Sequence, residues 1–318
     1  MSGLTDIPGI RVGHATDAQN LTGCTAILCE EGAVAGGDIR GSATGTEEWG
    51  LLDPGHVTDK IHAVVFAGGS AFGLEAASGV RRALAQKGTG FKTVGGVVPL
   101  VPAAILYDLN LAKPGIHPTR EMGEQAVKAA TAGPVAEGAV GAGTGATVGK
   151  LNGLQNAMKS GIGSWTVELE GRYKGVLVSA LAAVNAVGDI RDPASGKIIA
   201  GARVAPNSME FADGARLMKG GTPSGFTRGN TTLVCVATNA KLDKIQATKV
   251  AQLAHLGMAR AIHPVNTMSD GDLVVALSLG SASAPVDSIG VAAAEAVAEA
   301  ILRAVKLAPS LGGLPGLH

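Results

Sequence analysis

At 318 residues the chain is long enough for one large domain or two ordinary ones, with a substantial buried core. Lys plus Arg and Asp plus Glu each number 26, so the formal net charge is zero, and aromatic residues make up only 3%. Such a chain offers neither a basic stripe nor a stacking platform, which argues against nucleic acid or an anionic membrane as a partner.

Forty-seven glycines beside a hydrophobic content of 46% point to tight turns and close backbone approaches, not to disorder. No stretch reaches the roughly 18 uninterrupted apolar residues of a membrane span. Met1–Asp6 has neither a basic n-region nor an apolar h-region. Cys24, Cys29 and Cys235 lie in apolar surroundings without CxxC spacing, as reduced core residues do. The expectation is a soluble, cytoplasmic protein.

Taken in order, the chain opens with an extended, turn-punctuated piece, Ile7–His14. Thr25–Cys29 and Gly32–Ile39 then read as two strands of a hairpin around Glu30-Glu31. His62–Ala67 is a buried strand running through Gly68–Gly73 into a helix, Leu74–Gln86, with Leu74, Ala77, Val80 and Leu84 on one face. The turn is not GxGxxG and no Walker lysine follows, so no nucleotide site is indicated. Nor is it the GxSxG of a nucleophile elbow, which leaves Gly69 and Ser70 as close-packed backbone lining a substrate pocket.

Val97–Tyr107 is apolar but broken by Pro99 and Pro102, as a lining loop or short strand is. Arg120–Thr131 reads as an amphipathic helix ended near Gly133-Pro134. The densest glycine run, Gly138–Lys150, fails as a P-loop: Thr144 stands where Gly is needed and Leu151 where Ser or Thr should meet magnesium. Gly141-x-Gly143-x-x-Ala146 matches a dinucleotide fingerprint only loosely, because the nearest acidic residues, Glu168 and Glu170, fall in a predicted strand. No cofactor and no metal is expected. Trp165–Leu169 and Lys174–Asp189 pair as strands. Asn185 sits inside the second, and a buried amide there needs a partner, either structural or a ligand carbonyl or oxyanion.

A loop rich in Gly, Pro and Ser, Lys219–Gly229, then enters a buried strand, Leu233–Ala237, and is expected to be exposed and mobile. Thr231 stands at that junction. Its hydroxyl is placed to attack the carbonyl of Asn230 and convert the amide to an ester that water cleaves. The new α-amine titrates at roughly 7.7 to 8, low enough to act as base for its own hydroxyl. The alternative is structural, since β-branched residues suit strand starts.

A helix from Lys241 to about Arg260 follows, with Leu242, Ile245, Leu253 and Leu256 facing inward, then a strand, Asp272–Ser278, and an Ala-rich helix, Asp287–Val305. Paired strands with grouped helices indicate α+β layering. Asp270-Gly271-Asp272, at the turn into the strand, can hold an ammonium and a hydroxyl and can share protons. A surface turn is the competing reading, and a calcium loop would need more oxygen ligands.

Together, Gly68–Gly73, the Gly141–Gly149 run, Val184–Asp189, Asn230–Ala240 and Asp270-Gly271-Asp272 resemble the L-aminopeptidase/D-esterase (DmpA-like) family over nearly the whole chain, on the threonine-nucleophile branch that includes a nylon-oligomer hydrolase. The resemblance implies one DmpA-like domain over 1–318 with an αββα four-layer sandwich, similar to N-terminal-nucleophile hydrolases but differently connected. It implies self-cleavage into an alpha subunit, 1–230, and a beta subunit, 231–318, that assemble as a tetramer of heterodimers. By motif, Thr231 is the nucleophile, Asn185 supports the oxyanion, and Asp270 and Asp272 orient Thr231 and its amine. Lys159 takes the lysine position, although Ser160 replaces the glycine after it, and Lys150 competes for the role. The implied substrates are small peptides or amino-acid amides, including β- or ω-amino-acid oligomers such as those of 6-aminohexanoate. A threonine acyltransferase of the ornithine acetyltransferase type is the alternative; its signature would be Ala-Thr before the nucleophile, where this chain has Gly229-Asn230. A noncatalytic ligand-binding protein built on the glycine loops is a further alternative, opposed by the failed phosphate motifs.

Overall fold

Strict alternation along the strands builds the layers of this molecule. The computed structural model describes residues 3–221 and 229–318. Its principal elements are β1 (Arg11–Asp17), β2 (Thr22–Ile39), β3 (Lys60–Ala67), α1 (Glu75–Gln86), β4 (Ala103–Ile105), α2 (Arg120–Ala129), β5 (Ile162–Glu168), β6 (Leu177–Asn185), β7 (Thr231–Ala240), α3 (Lys244–Ala261), β8 (Leu273–Ala282) and α4 (Val286–Lys306). The strands hydrogen-bond in the order β5-β6-β7-β8-β2-β3-β4, with Thr46–Glu47 beyond β4 and β1 paired to β2. The β7–β8 and β3–β4 pairs are parallel and the other principal pairs antiparallel.

Successive residues face opposite sides of a strand, and here each side meets a different core. Val178, Ala180, Ala182 and Val184 of β6, with Val234 and Val236 of β7, pack against α3 and α4. Leu181, Ala183, Leu233 and Cys235 face the other way, onto Ile27, Cys29, Val64 and Phe66. Cys24, Ala26, Leu28, Ala63 and Val65 in turn pack against α1 and α2. Three cores between four layers make the αββα sandwich.

The strand β2 joins the two sheet layers. Its first half pairs with β1 and β3, and its second half, Val34–Ile39, pairs with β8. The expected hairpin around Glu30-Glu31 is therefore absent: the segment is one 18-residue strand with an irregularity between Leu28 and Ala33. Glu30 marks the bulge by pairing with Arg11 at 2.9 Å, a charged surface kink that resembles a turn in sequence. The helix α3 also differs from expectation in its inward face. Ile245 and Leu256 are 70% and 46% exposed, while Ala247, Val250, Ala251, Ala254 and Met258 are buried. Small side chains let α3 approach α4 closely, so the larger aliphatics point outward. The three cysteines are free and buried, as expected.

Candidate active site

Sheet pairing brings the polar candidates to one place. Thr231 opens β7 directly opposite Asn185, the last residue of β6. Asn230 forms a parallel bridge with Asp270, just ahead of β8. Asn185, Asn230, Thr231, Asp270 and Asp272 are all 0 to 2% exposed, so a polar cluster caps three adjacent strands that are otherwise mostly apolar. Most of the loop before the junction, 222–228, including the expected exposure and mobility, lies outside the described residues.

The Thr231 hydroxyl donates to the carbonyl of Asn230 at 2.5 Å. The backbone N–H of Gly271 donates to that same oxygen at 2.9 Å. Only glycine suits position 271, because a Cβ there would lie 2.7 Å from Thr231 Oγ1. The flanking carboxylates are pinned by backbone donors. Asp272 Oδ1 accepts from Thr232 N–H at 2.6 Å and its Oδ2 from Asn266 N–H at 2.9 Å. Asp270 Oδ1 accepts from Val187 N–H at 3.2 Å, and its Oδ2 from the Thr267 hydroxyl at 2.5 Å. Burial, and then the neighbouring Asp270 charge, push Asp272 up to about 7. Burial likewise raises Asp270.

The Asn185 amide has an unambiguous orientation. Its Oδ1 accepts from Thr147 N–H at 3.0 Å and from Lys150 Nζ at 2.7 Å, and its Nδ2 donates to the carbonyls of Tyr107 at 2.9 Å and Gly229 at 3.3 Å. The donor end therefore faces the backbone just ahead of Thr231. Lys150 Nζ also donates to the Asn185 carbonyl at 2.9 Å. Burial lowers Lys150 to about 7, against the attraction of Asp270 and Asp272.

Lys159 is equally buried but differently placed. Its Nζ donates to the carbonyls of Ala146 at 2.6 Å and of Thr144 and Ser160 at 3.1 Å. Burial lowers it to about 7, opposed by Asp108. Of the two lysines weighed from sequence, the structure brings Lys150 to Asn185 and sets Lys159 behind the glycine run.

Gly69 and Ser70 are held by the segment that flanks Tyr107. Gly69 N–H donates to Asp108 Oδ1 at 2.7 Å and Ser70 N–H to the Leu106 carbonyl at 3.0 Å. Tyr107 lies between those two partners. Sequence reasoning passed over it, since it ends a proline-broken run without periodicity. Its carbonyl meets Asn185 and its ring lies against Gly229. Among the described residues no group of three His, Cys, Asp or Glu is arranged to hold a metal ion, and no helix is long and apolar enough to cross a membrane.

The sequence profile of peptidase family S58 matches residues 2–318. An uncharacterized aminopeptidase of Mycobacterium leprae is 37% identical, covering 99% of this chain and 93% of its own. A 6-aminohexanoate-oligomer endohydrolase of a Kocuria species is 29% identical over 95% of this chain and 85% of its own. Among solved structures, the L-aminopeptidase D-Ala-esterase/amidase of Ochrobactrum anthropi, described as a variant of the Ntn hydrolase fold, aligns with a TM-score of 0.72 at 20% identity, covering 99% of this chain and 88% of that one. A Burkholderia beta-aminopeptidase aligns with a TM-score of 0.70 at 24% identity, covering 100% and 91%.

Proposed function

This chain belongs to peptidase family S58, and from that premise we propose that it is a self-processing amide hydrolase whose nucleophile is Thr231. The observation that carries the reading is the pair of contacts on one oxygen: the Thr231 hydroxyl and the Gly271 N–H both donate to the carbonyl of Asn230. The hydroxyl lies beside the carbon it attacks, and a rigid donor stands ready for the charge that develops on oxygen.

In the uncut chain, Thr231 Oγ1 bonds to the Asn230 carbonyl carbon, the Asn230–Thr231 C–N bond breaks, and the nitrogen takes up the hydroxyl's proton to become an amine. Water cleaves the resulting ester, leaving the Asn230 carboxylate and restoring the hydroxyl. Lys150, neutral above about pH 7 and bonded to Asn185, the residue opposite Thr231, is the base we assign to relay that proton from the hydroxyl to the nitrogen, and it also fixes the Asn185 amide. The new amine enters the field of Asp270 and Asp272, which orient it. With a substrate, the same hydroxyl forms an acyl-enzyme, an amine leaves, and water releases the acid. Asn185 Nδ2, freed from the Gly229 carbonyl, and Gly271 N–H then support the oxyanion.

Small peptides and amino-acid amides are the proposed substrates, with β- and ω-amino-acid oligomers included because of the relatives' named activities. Subunits 1–230 and 231–318 stay together after the cut, since β7 lies between β6 and β8, and β8 against β2. Association of the αβ units is supported by an exposed apolar hairpin bearing Phe91, Val94 and Val98; the tetramer is what the family resemblance implies. The test of the chemistry is Thr231→Ala. A denaturing gel should show one full-length band where the native protein shows two, and hydrolysis of α-, β- and ω-amino-acid amides should vanish. An uncut native chain, or an active Thr231→Ala protein, would sink the reading.

A further inference from the structure

The uncut chain presents a peptide to its own nucleophile, and the surroundings of that peptide describe the acyl side of the site. Asn230 is aligned as a short strand beside Asp270, its side-chain Nδ2 donating to the Ser269 carbonyl at 3.2 Å. One residue further from the scissile bond the space closes. Gly229 has φ of 109°, in the region that L side chains avoid. A Cβ on it would also come within 3.0 Å of three ring carbons of Tyr107, including Cγ. Cγ is the root of the ring, so no rotation about the Cβ–Cγ bond moves it away. The backbone that carries it is held by the bond from Asn185 Nδ2 to the Tyr107 carbonyl, so retreat of the ring would pull on the amide that serves the oxyanion.

We propose that Tyr107 is the specificity residue for the second acyl-side position, admitting glycine or an unsubstituted methylene there and rejecting L-residues that carry a side chain. This rests on the reading of Thr231 as the nucleophile, with the substrate carbonyl taking the place of the Asn230 carbonyl. The site then accepts acyl groups of one residue of any compatible type, or longer ones only where the second position carries no L side chain. A peptide of ordinary L-residues is trimmed one residue at a time, whereas an acyl chain that begins with glycine is also released as a dipeptide.

The test uses the self-cleaved enzyme and three 4-nitroanilides: X-anilide, Gly-X-anilide and Ala-X-anilide, with X the residue cleaved fastest as X-anilide. Mass spectrometry reads the released dipeptide, which separates direct attack from stepwise trimming. Release of Gly-X should exceed release of Ala-X by about a hundredfold in kcat/KM, the size expected for an overpacked contact. Tyr107→Ala should shrink that ratio at least tenfold, whatever it does to the absolute rates. Equal release of both dipeptides by the native enzyme, release of neither, or an unchanged ratio in an active Tyr107→Ala enzyme would overturn the selector. If Tyr107→Ala fails to fold or to cut itself, the ratio measured on the native enzyme decides alone. Full hydrolysis of X-anilide without Gly/Ala discrimination defeats only this inference. A native protein that hydrolyses no anilide defeats the nucleophile reading with it.

Discussion

Two buried lysines, nine residues apart in sequence, divide the polar interior into regions of different character. Both are almost wholly withdrawn from water and both are lowered to about 7 by burial. Around Lys150 the partners are chemical: the Asn185 amide and, through space, Asp270 and Asp272. Around Lys159 they are architectural: three backbone carbonyls, with Asp108 beyond. The same side chain at the same depth thus binds the amide opposite Thr231 in one region, where we propose it as the base, and ties down three carbonyls around the Gly138–Lys150 run in the other. Burial and a shifted pKa do not separate the two; the identity of the partners does.

The sharpest way to break this contrast is to replace each lysine by Met. Lys150→Met should slow self-cleavage about a thousandfold, followed as the decay of the full-length band, with the rise of rate through pH 7 lost. Lys159→Met should leave cleavage within about tenfold of native and keep that pH profile. Its effect should instead be a loss of roughly 3 kcal/mol in stability by denaturant unfolding, because buried carbonyls lose their donor. Reversed outcomes would exchange the two roles. Next in size, Asn185→Ala should lower turnover about a hundredfold by removing one oxyanion donor. An undiminished kcat would show that the Gly271 N–H suffices.

Smaller, and diagnostic of the electrostatics, is the pH dependence of stability in the uncut Thr231→Ala chain. Folded Asp272 keeps its proton up to about 7, against an ordinary 3.8. The folded state therefore binds more protons than the unfolded one between about pH 4 and 7, and stability falls as pH rises through that window. Lys150 and Lys159 release theirs at about 7 rather than 10.5. The unfolded state binds more protons between those values, so stability rises again above pH 7. Each group contributes a slope of at most about 1.4 kcal/mol per pH unit, and the sum has a minimum near neutrality. Asp272→Asn should lessen the acidic limb, to which Asp108, raised to about 6 by burial, also contributes, and spare the alkaline one; an acidic limb unchanged by the substitution would show that Asp272 is no part of its source.

What could be read in the sequence follows from which residues break a pattern. Asn185 interrupts an apolar strand, Thr231 stands where a glycine-rich loop meets one, and Asp270-Gly271-Asp272 puts two charges ahead of a third; each was legible because a polar group in an apolar run needs a reason. The layers were legible from the pairing of strands and grouping of helices. Lys150 and Lys159 could not be told apart, because they lie among 3-10 turns and two-residue strands that carry no periodicity. Tyr107 was invisible because it ends a proline-broken run, and the glycine its ring meets is 122 positions away. The bulge at Glu30 and the alanine face of α3 misled in a common way: charge imitated a turn, and small residues outcompeted large ones where two helices press together.

Whether the protein cuts its own Asn230–Thr231 bond is decided by mass spectrometry of the purified native protein with N-terminal sequencing of the smaller fragment. Self-cleavage should give two chains, one ending at Asn230 and one beginning with an unmodified Thr231. A single chain of 318 residues after prolonged incubation at pH 8, or a cut at any other bond, would contradict it.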